Sequence, residues 1–156
     1  MKQLALLVGV LLVAGCGGSS QPKGAPGDFA VKVVGQIVHN EYATAWGDMH
    51  PLDQKVAPFG EYTQCETRSP VIAAPLTTKV VSVKDESVGI GDGSFVQSKA
   101  VNVRLGFAGG FNVVHTVHVI AEHGKWTWIL PSWRFRDYKA NRCPVDAGST
   151  PPPATS

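Results

Sequence analysis

The sequence predicts an α+β domain in which N-terminal helices pack on a curved, mainly antiparallel β-sheet. Apolar residues recur at helical spacing in the first half of the chain, and they alternate with polar residues in the second half. Helices followed by hairpin-linked strands are typical of the α+β class. The chain has 156 residues, of which 44% are hydrophobic and 17% charged, and this size and composition suit one such domain.

Residues 1–15 predict a lipoprotein signal peptide. The apolar run at residues 4–14 is too short for a transmembrane helix, which needs about 20 apolar residues. The segment Val13-Ala14-Gly15-Cys16 resembles the bacterial lipobox, with Val in place of its commoner Leu. The resemblance implies cleavage before Cys16 and lipidation of its thiol, which would anchor the protein to a membrane. An ordinary secretory cleavage nearby is the alternative.

Shifts in composition mark the predicted borders of the domain. Residues 16–27 are rich in Gly, Ser and Pro and predict a flexible tether, and residues 145–156 predict a disordered Pro-rich tail. Residues 28–144 remain as the single predicted domain. The formal net charge is only +2, so we expect no nucleic-acid partner.

Helices are predicted at the start of the domain. Asp28 is a favourable N-cap residue, and the apolar residues after it follow one face of a long helix that reaches Met49. The dipeptide His50-Pro51 ends this helix, because proline disfavours helical geometry in the residue before it. One or two short helices are predicted next, over residues 52–56 and 58–66.

Strands are predicted for the rest of the domain, so that all helices come first. Alternating residues and glycine-containing turns predict an antiparallel meander. The predicted strands are residues 78–83, 87–90, 100–107, 111–122 and 125–130.

The chain has three cysteines, and if Cys16 carries lipid, two of them remain free to pair. Cys65 and Cys143 would then form a disulfide in the oxidising setting of an exported protein. No Cys-x-x-Cys motif is present, and two thiols alone do not make a zinc site, so we expect no metal and no cofactor.

This order of elements resembles the nuclear transport factor 2-like superfamily, over residues 29–143. The resemblance implies a cone-shaped domain. It is also compatible with a homodimer, because domains of this fold frequently dimerise through the sheet. A cystatin-like fold is the alternative, because it also combines a long helix with a meander. More narrowly, the sequence resembles bacterial lipoproteins of that fold at Tyr42, Trp46, Leu52, Val56, Tyr62 and Cys65, then at Gly124-Lys125-Trp126, Trp128 and Cys143.

Three ionisable residues are weak catalytic candidates. Enzymes on this fold place an acid/base pair inside the cone, and His115 shares a strand face with valines that would line it. Asp48 and His50 stand at the end of the long helix and could form an acid/base dyad. Each has an ordinary alternative, a core histidine for His115 and a helix end for the other two. The resemblance assigns no catalytic residue.

Aromatic and basic side chains supply the binding candidates. Tyr42 and Trp46, together with His115, could line a cavity for an apolar ligand, although aromatic residues also fill the core of a small domain. Basic residues between 134 and 142 predict a solvated face, or else a contact with anionic lipid.

The sequence therefore favours a lipid-anchored envelope protein on the exported side of a bacterial membrane. We expect a non-enzymatic binding or protein-interaction module, with a small apolar ligand or an envelope protein as its partner. The rival is a small pocket enzyme, an isomerase, dehydratase or hydrolase, acting on an apolar molecule.

Overall fold

The computed structural model describes residues 22–90 and 93–144, which fold as an α+β domain. The predicted signal peptide at residues 1–15, the lipidation site Cys16 and the tail at residues 145–156 lie outside the described residues. The elements in chain order are α1 (Pro26–Val38), α2 (Tyr42–Gly47), α3 (Pro51–Val56), α4 (Phe59–Arg68), β1 (Thr77–Gly89), β2 (Phe95–Gly106), β3 (Asn112–Glu122), β4 (Lys125–Trp128) and α5 (Ser132–Lys139).

The predicted long helix is wrong, because the chain turns between α1 and α2. Asn40 adopts a positive φ of 61°, which ends the helical hydrogen bonding. Its side chain accepts a hydrogen bond from the Val71 amide and donates one to the Val71 carbonyl. The prediction of Asp28 as N-cap is also wrong: α1 begins at Pro26, so Asp28 lies in its first turn.

The four strands form one antiparallel sheet in the order β1-β2-β3-β4. The two segments predicted at 78–83 and 87–90 are a single strand, β1, whose register shifts between Val80 and Ser82. The polar stretch that separated them in the prediction stays in the sheet, because Asp85 faces Lys99 on β2 and forms an ion pair with it at 2.5 Å.

The last helix, α5, was not predicted, so helices do not all precede the strands. The strand predicted to reach residue 130 ends at Trp128, and Pro131 then occupies the N-cap position of α5. Only Tyr138 of this helix is buried, so α5 has no apolar stripe that a sequence pattern could reveal.

The core lies between the helices and one face of the sheet. Val101, Val103 and Leu105 of β2 point into it and are almost completely buried. Trp128 joins the two layers, since its indole nitrogen donates to the Ala45 carbonyl at 2.7 Å.

The predicted disulfide between Cys65 and Cys143 is confirmed, with α-carbons 5.1 Å apart. It ties α4 to the segment that follows α5. Within the residues that the structure describes, no helix has the length and apolar character needed to cross a membrane.

Candidate functional site

A cavity of about 520 Å³ lies between α1, α4, the sheet and the start of α5. Its walls are largely apolar, and its volume falls within the range of about 300–1,000 Å³ that is usual for ligand pockets. The apolar lining residues include Val33, Val34, Ile37 and Val38 from α1, Leu105 from β2, Val117 from β3, and Phe107, Trp128 and Trp133.

A buried polar cluster forms part of the cavity wall. The Glu66 carboxylate of α4, only 6% exposed, accepts hydrogen bonds from the Arg134 guanidinium and from the Tyr138 hydroxyl, the latter at 2.7 Å. Burial lowers the pKa of Arg134, but the Glu66 charge and hydrogen bond outweigh this, so the net shift is upward. Arg134 therefore stays charged, and the pair holds α4 and α5 together beside the cavity.

Two hydrogen-bond donors of residues in this wall are not used by the described contacts. Burial, then the nearby Glu66 charge, raise the pKa of Tyr62, so its hydroxyl keeps its proton. The buried Nε of Arg134 has no hydrogen-bond partner among the described residues. A ligand that is otherwise apolar could thus place one acceptor atom at the wall that carries Tyr62 and Arg134.

The predicted ligand-lining residues are only partly brought together. Tyr42 and His115 both line the cavity; His115 is exposed, and the Tyr42 hydroxyl donates to Asn40. Burial is the main cause that raises the pKa of Tyr42. Trp46 does not line the cavity: its ring packs edge-on against Phe59, and its indole nitrogen donates to a backbone carbonyl.

Asp48 and His50 hold the fold together and do not line the cavity. The Asp48 carboxylate accepts from Gln36 at 2.8 Å and pairs with Lys32 at 2.7 Å. His50 caps α3, since its Nδ1 accepts from the Leu52 amide, and its Nε2 lies 3.4 Å from Glu122. The backbones of both residues also bond to Trp128. Their side chains contact different partners and form no dyad.

Asp53 is a buried acid that the sequence analysis missed. It lies in the first turn of α3, and its Oδ2 accepts the Leu130 amide at 2.6 Å. Burial raises its pKa to about 6, although the Leu130 hydrogen bond and nearby His50 act in the opposite direction. A second, smaller pocket of about 330 Å³ borders it, with Arg136 and Lys139 of α5 in the lining.

The other missed residues are Tyr62, Glu66 and Arg134. Tyr62 and Glu66 are four residues apart on α4 and therefore share one helix face, which was the available signal. Arg134 was counted among the basic residues of a solvated face, which is wrong for this residue because its side chain is only 20% exposed and pairs with Glu66.

Across residues 22–90 and 93–144, no three His, Cys, Asp or Glu side chains are grouped to hold a metal ion. Comparisons of the chain with protein-family models, with curated proteins and with solved structures found no match. The fold and the site thus define an α+β domain with a ligand-sized, mainly apolar cavity.

Proposed function

We propose that this protein is a lipid-anchored component of the bacterial cell envelope that binds a small apolar molecule without transforming it. Its domain would be a nuclear transport factor 2-like cone. The cavity of about 520 Å³ between helices and sheet carries this proposal. Apolar walls favour an apolar ligand, because each Å² of apolar surface removed from water contributes about 25 cal/mol.

The placement of ionisable groups supports binding over catalysis. Asp48 and His50 bond elsewhere, and Glu66 is held by Arg134 and Tyr138, so its carboxylate is committed to structure. A general acid or base has to reach the reacting atoms. His115 is the remaining candidate on the cavity wall for the rival enzyme hypothesis.

The helical layer supports the cone over the cystatin-like alternative. Both folds were predicted from one long helix in front of a meander, and α1 ends at Val38. The three further helices that precede the sheet supply the helical layer that the cone requires. The cavity lies between this layer and the sheet.

Export to an oxidising compartment is supported by the disulfide between Cys65 and Cys143, since such bonds persist mainly outside the cytosol. The lipobox-like segment that ends at Cys16 supports the anchor and the exported side of the membrane.

Cavity filling tests the binding proposal. N-phenyl-1-naphthylamine, a neutral apolar probe, should bind to the wild-type protein, and Val117→Trp should weaken its binding about tenfold or more by occupying the cavity. Val83→Trp is the matched control, because Val83 is an exposed strand valine that does not line the cavity. Probe fluorescence gives the Kd, and thermal melts verify that both variants fold.

Equal probe binding by Val117→Trp and the wild-type protein would contradict the proposal. A second cavity variant, Ile37→Trp on α1, should also weaken probe binding. Weaker binding by both variants would show that the effect of Val117→Trp does not come from a local defect in β3. If His115→Ala abolishes turnover of a carbonyl, epoxide or alcohol substrate by the protein, the enzyme hypothesis replaces the binding proposal.

A further inference from the structure

Bulky apolar side chains are exposed near one end of the sheet. We name Ile72, Leu76, Phe111 and Val114 the apolar rim; their exposed fractions are 96%, 74%, 64% and 50%. Exposed apolar side chains that gather in one place mark an interaction surface.

Backbone pairing and ring contacts place Leu76, Phe111 and Val114 at one end of the sheet beside the cavity, and Ile72 follows the cavity-lining residue Val71 in the chain. The Leu76 amide donates to the Gly106 carbonyl at 2.7 Å, which places Leu76 beside Phe107. The Phe107 and Phe111 rings lie 6.1 Å apart between centroids. Phe107 and Val114 line the cavity, so the apolar rim adjoins it.

Two cations border the apolar rim on the sheet. Lys79 pairs in register with Arg104, and Arg104 pairs with Val114, so the three residues form a row across β1, β2 and β3. Both cations are exposed, and neither forms an ion pair with a carboxylate of the described chain. Apolar side chains beside free cations suit the surface of an anionic bilayer, which attracts the cations and accepts the apolar groups.

We propose that the apolar rim docks on an anionic lipid bilayer, so that an apolar ligand passes between the hydrocarbon and the cavity without crossing water. This inference depends on the proposed function for the identity of the ligand. The docking itself depends only on the apolar rim and its two cations.

The N-terminal segment fits this orientation. The chain from Cys16 to Pro22 spans six residues, or about 20 Å at full extension. At the start of α1, Gly27 packs on the Val80 side chain, next to Lys79 on β1. A lipid on Cys16 would therefore hold β1, and with it the apolar rim, close to the membrane.

Vesicle co-sedimentation of the exported chain with Cys16→Ser tests the docking, because this variant has no acyl group. We expect binding to vesicles that contain phosphatidylglycerol and weaker binding to vesicles of phosphatidylcholine alone. Phe111→Ser should reduce binding at least tenfold, and Lys79→Gln or Arg104→Gln about fivefold each.

Matched controls lie elsewhere on the sheet. Phe95→Ser removes another exposed phenylalanine, 74% exposed, that belongs to the β1–β2 hairpin end. Lys84→Gln removes an exposed lysine of β1 that pairs with Ala100. Both should bind vesicles like the parent protein. Thermal melts check folding, and N-phenyl-1-naphthylamine binding to Lys79→Gln should be unchanged, because Lys79 does not line the cavity.

Three results would overturn the proposal. The first is an absence of binding to anionic vesicles, and the second is an equal loss of vesicle binding for Phe111→Ser and Phe95→Ser. The third is a dimer in analytical ultracentrifugation that Phe111→Ser dissociates, which would assign the apolar rim to a second copy of the chain. If the parent protein binds anionic vesicles but does not bind N-phenyl-1-naphthylamine, the result contradicts the proposed ligand cavity and still supports the docking.

Discussion

Glu66 on α4 and Arg134 on α5 form a buried ion pair although they are 68 residues apart in the sequence. The same carboxylate also accepts the Tyr138 hydroxyl, so one acid joins α4 to both turns of α5. A buried pair adds little net stability over apolar residues, but the loss of one partner leaves an uncompensated charge.

We predict that Arg134→Met destabilises the protein by about 3–5 kcal/mol, because Glu66 would keep a buried charge without its cation. Arg142→Met is the control: Arg142 pairs with Asp137 at the end of α5 while its side chain is 68% exposed, and its loss should cost less than about 1 kcal/mol. Urea denaturation measures both free energies of unfolding. An equal loss of unfolding free energy in Arg134→Met and Arg142→Met would contradict the prediction.

The buried carboxyl of Asp53 predicts a dependence of stability on pH. Its folded pKa of about 6 lies above the ordinary value of 3.8, so between these values the folded state keeps a proton that the unfolded chain has lost. Stability from this group therefore falls as the pH rises through this window, by about 3 kcal/mol in total at 1.36 kcal/mol per pKa unit.

Asp53→Asn tests this dependence, because an amide oxygen can still accept the Leu130 amide but does not ionise. The free energy of unfolding, measured from pH 4 to pH 8, should decline less steeply in the variant than in the wild-type protein. Parallel curves would show that Asp53 does not carry the effect.

Reduction of the Cys65–Cys143 disulfide should destabilise the protein by about 2–4 kcal/mol, since it frees a loop of 78 residues in the unfolded chain. Thermal melts with and without a reductant measure the change. The double variant Cys65→Ala/Cys143→Ala should melt at a lower temperature than the oxidised protein and should not respond to the reductant. Free thiols at both positions in the native exported protein would refute the bond.

Cys16→Ser should abolish the acyl mass increase and the partitioning of the protein into detergent, because it removes the thiol that the lipobox-like segment presents. Mass spectrometry and phase separation measure the two effects. In an intact host, the variant should leave the membrane pellet after a wash at high salt, which weakens contacts of the basic residues with anionic lipid. Retention of the acyl mass would refute lipidation at this residue.

The sequence predicted the α+β class and most of the sheet, because local alternation fixes strands well. It missed the break at Asn40, since α1 and α2 bury residues on the same side and the apolar spacing continues across the turn. The one local signal of the turn was the residue type at position 40, because Asn tolerates a positive φ better than most residues.

The candidate site was harder to predict, because its polar wall depends on distant pairing. Tyr42 was predicted because a large aromatic side chain can line a cavity, and His115 because it shares a strand face with valines; both line the cavity. Glu66 and Arg134 looked like surface charges, and nothing local shows that the fold buries them against each other. A pattern of apolar residues can indicate a cavity wall, but it does not reveal which charges will meet there.

The position of Cys143 sets the order in which the domain can mature. It follows every helix and strand of the described chain, while its partner Cys65 precedes the whole sheet. The crosslink therefore closes only after α5 has been synthesised and has docked against α4. Until that oxidation, noncovalent contacts, among them those of Glu66 with Arg134 and Tyr138, hold α5 against α4. A chain that lacks Cys143 would therefore keep every residue of the cavity wall but not the covalent crosslink that ties α4 to the end of α5.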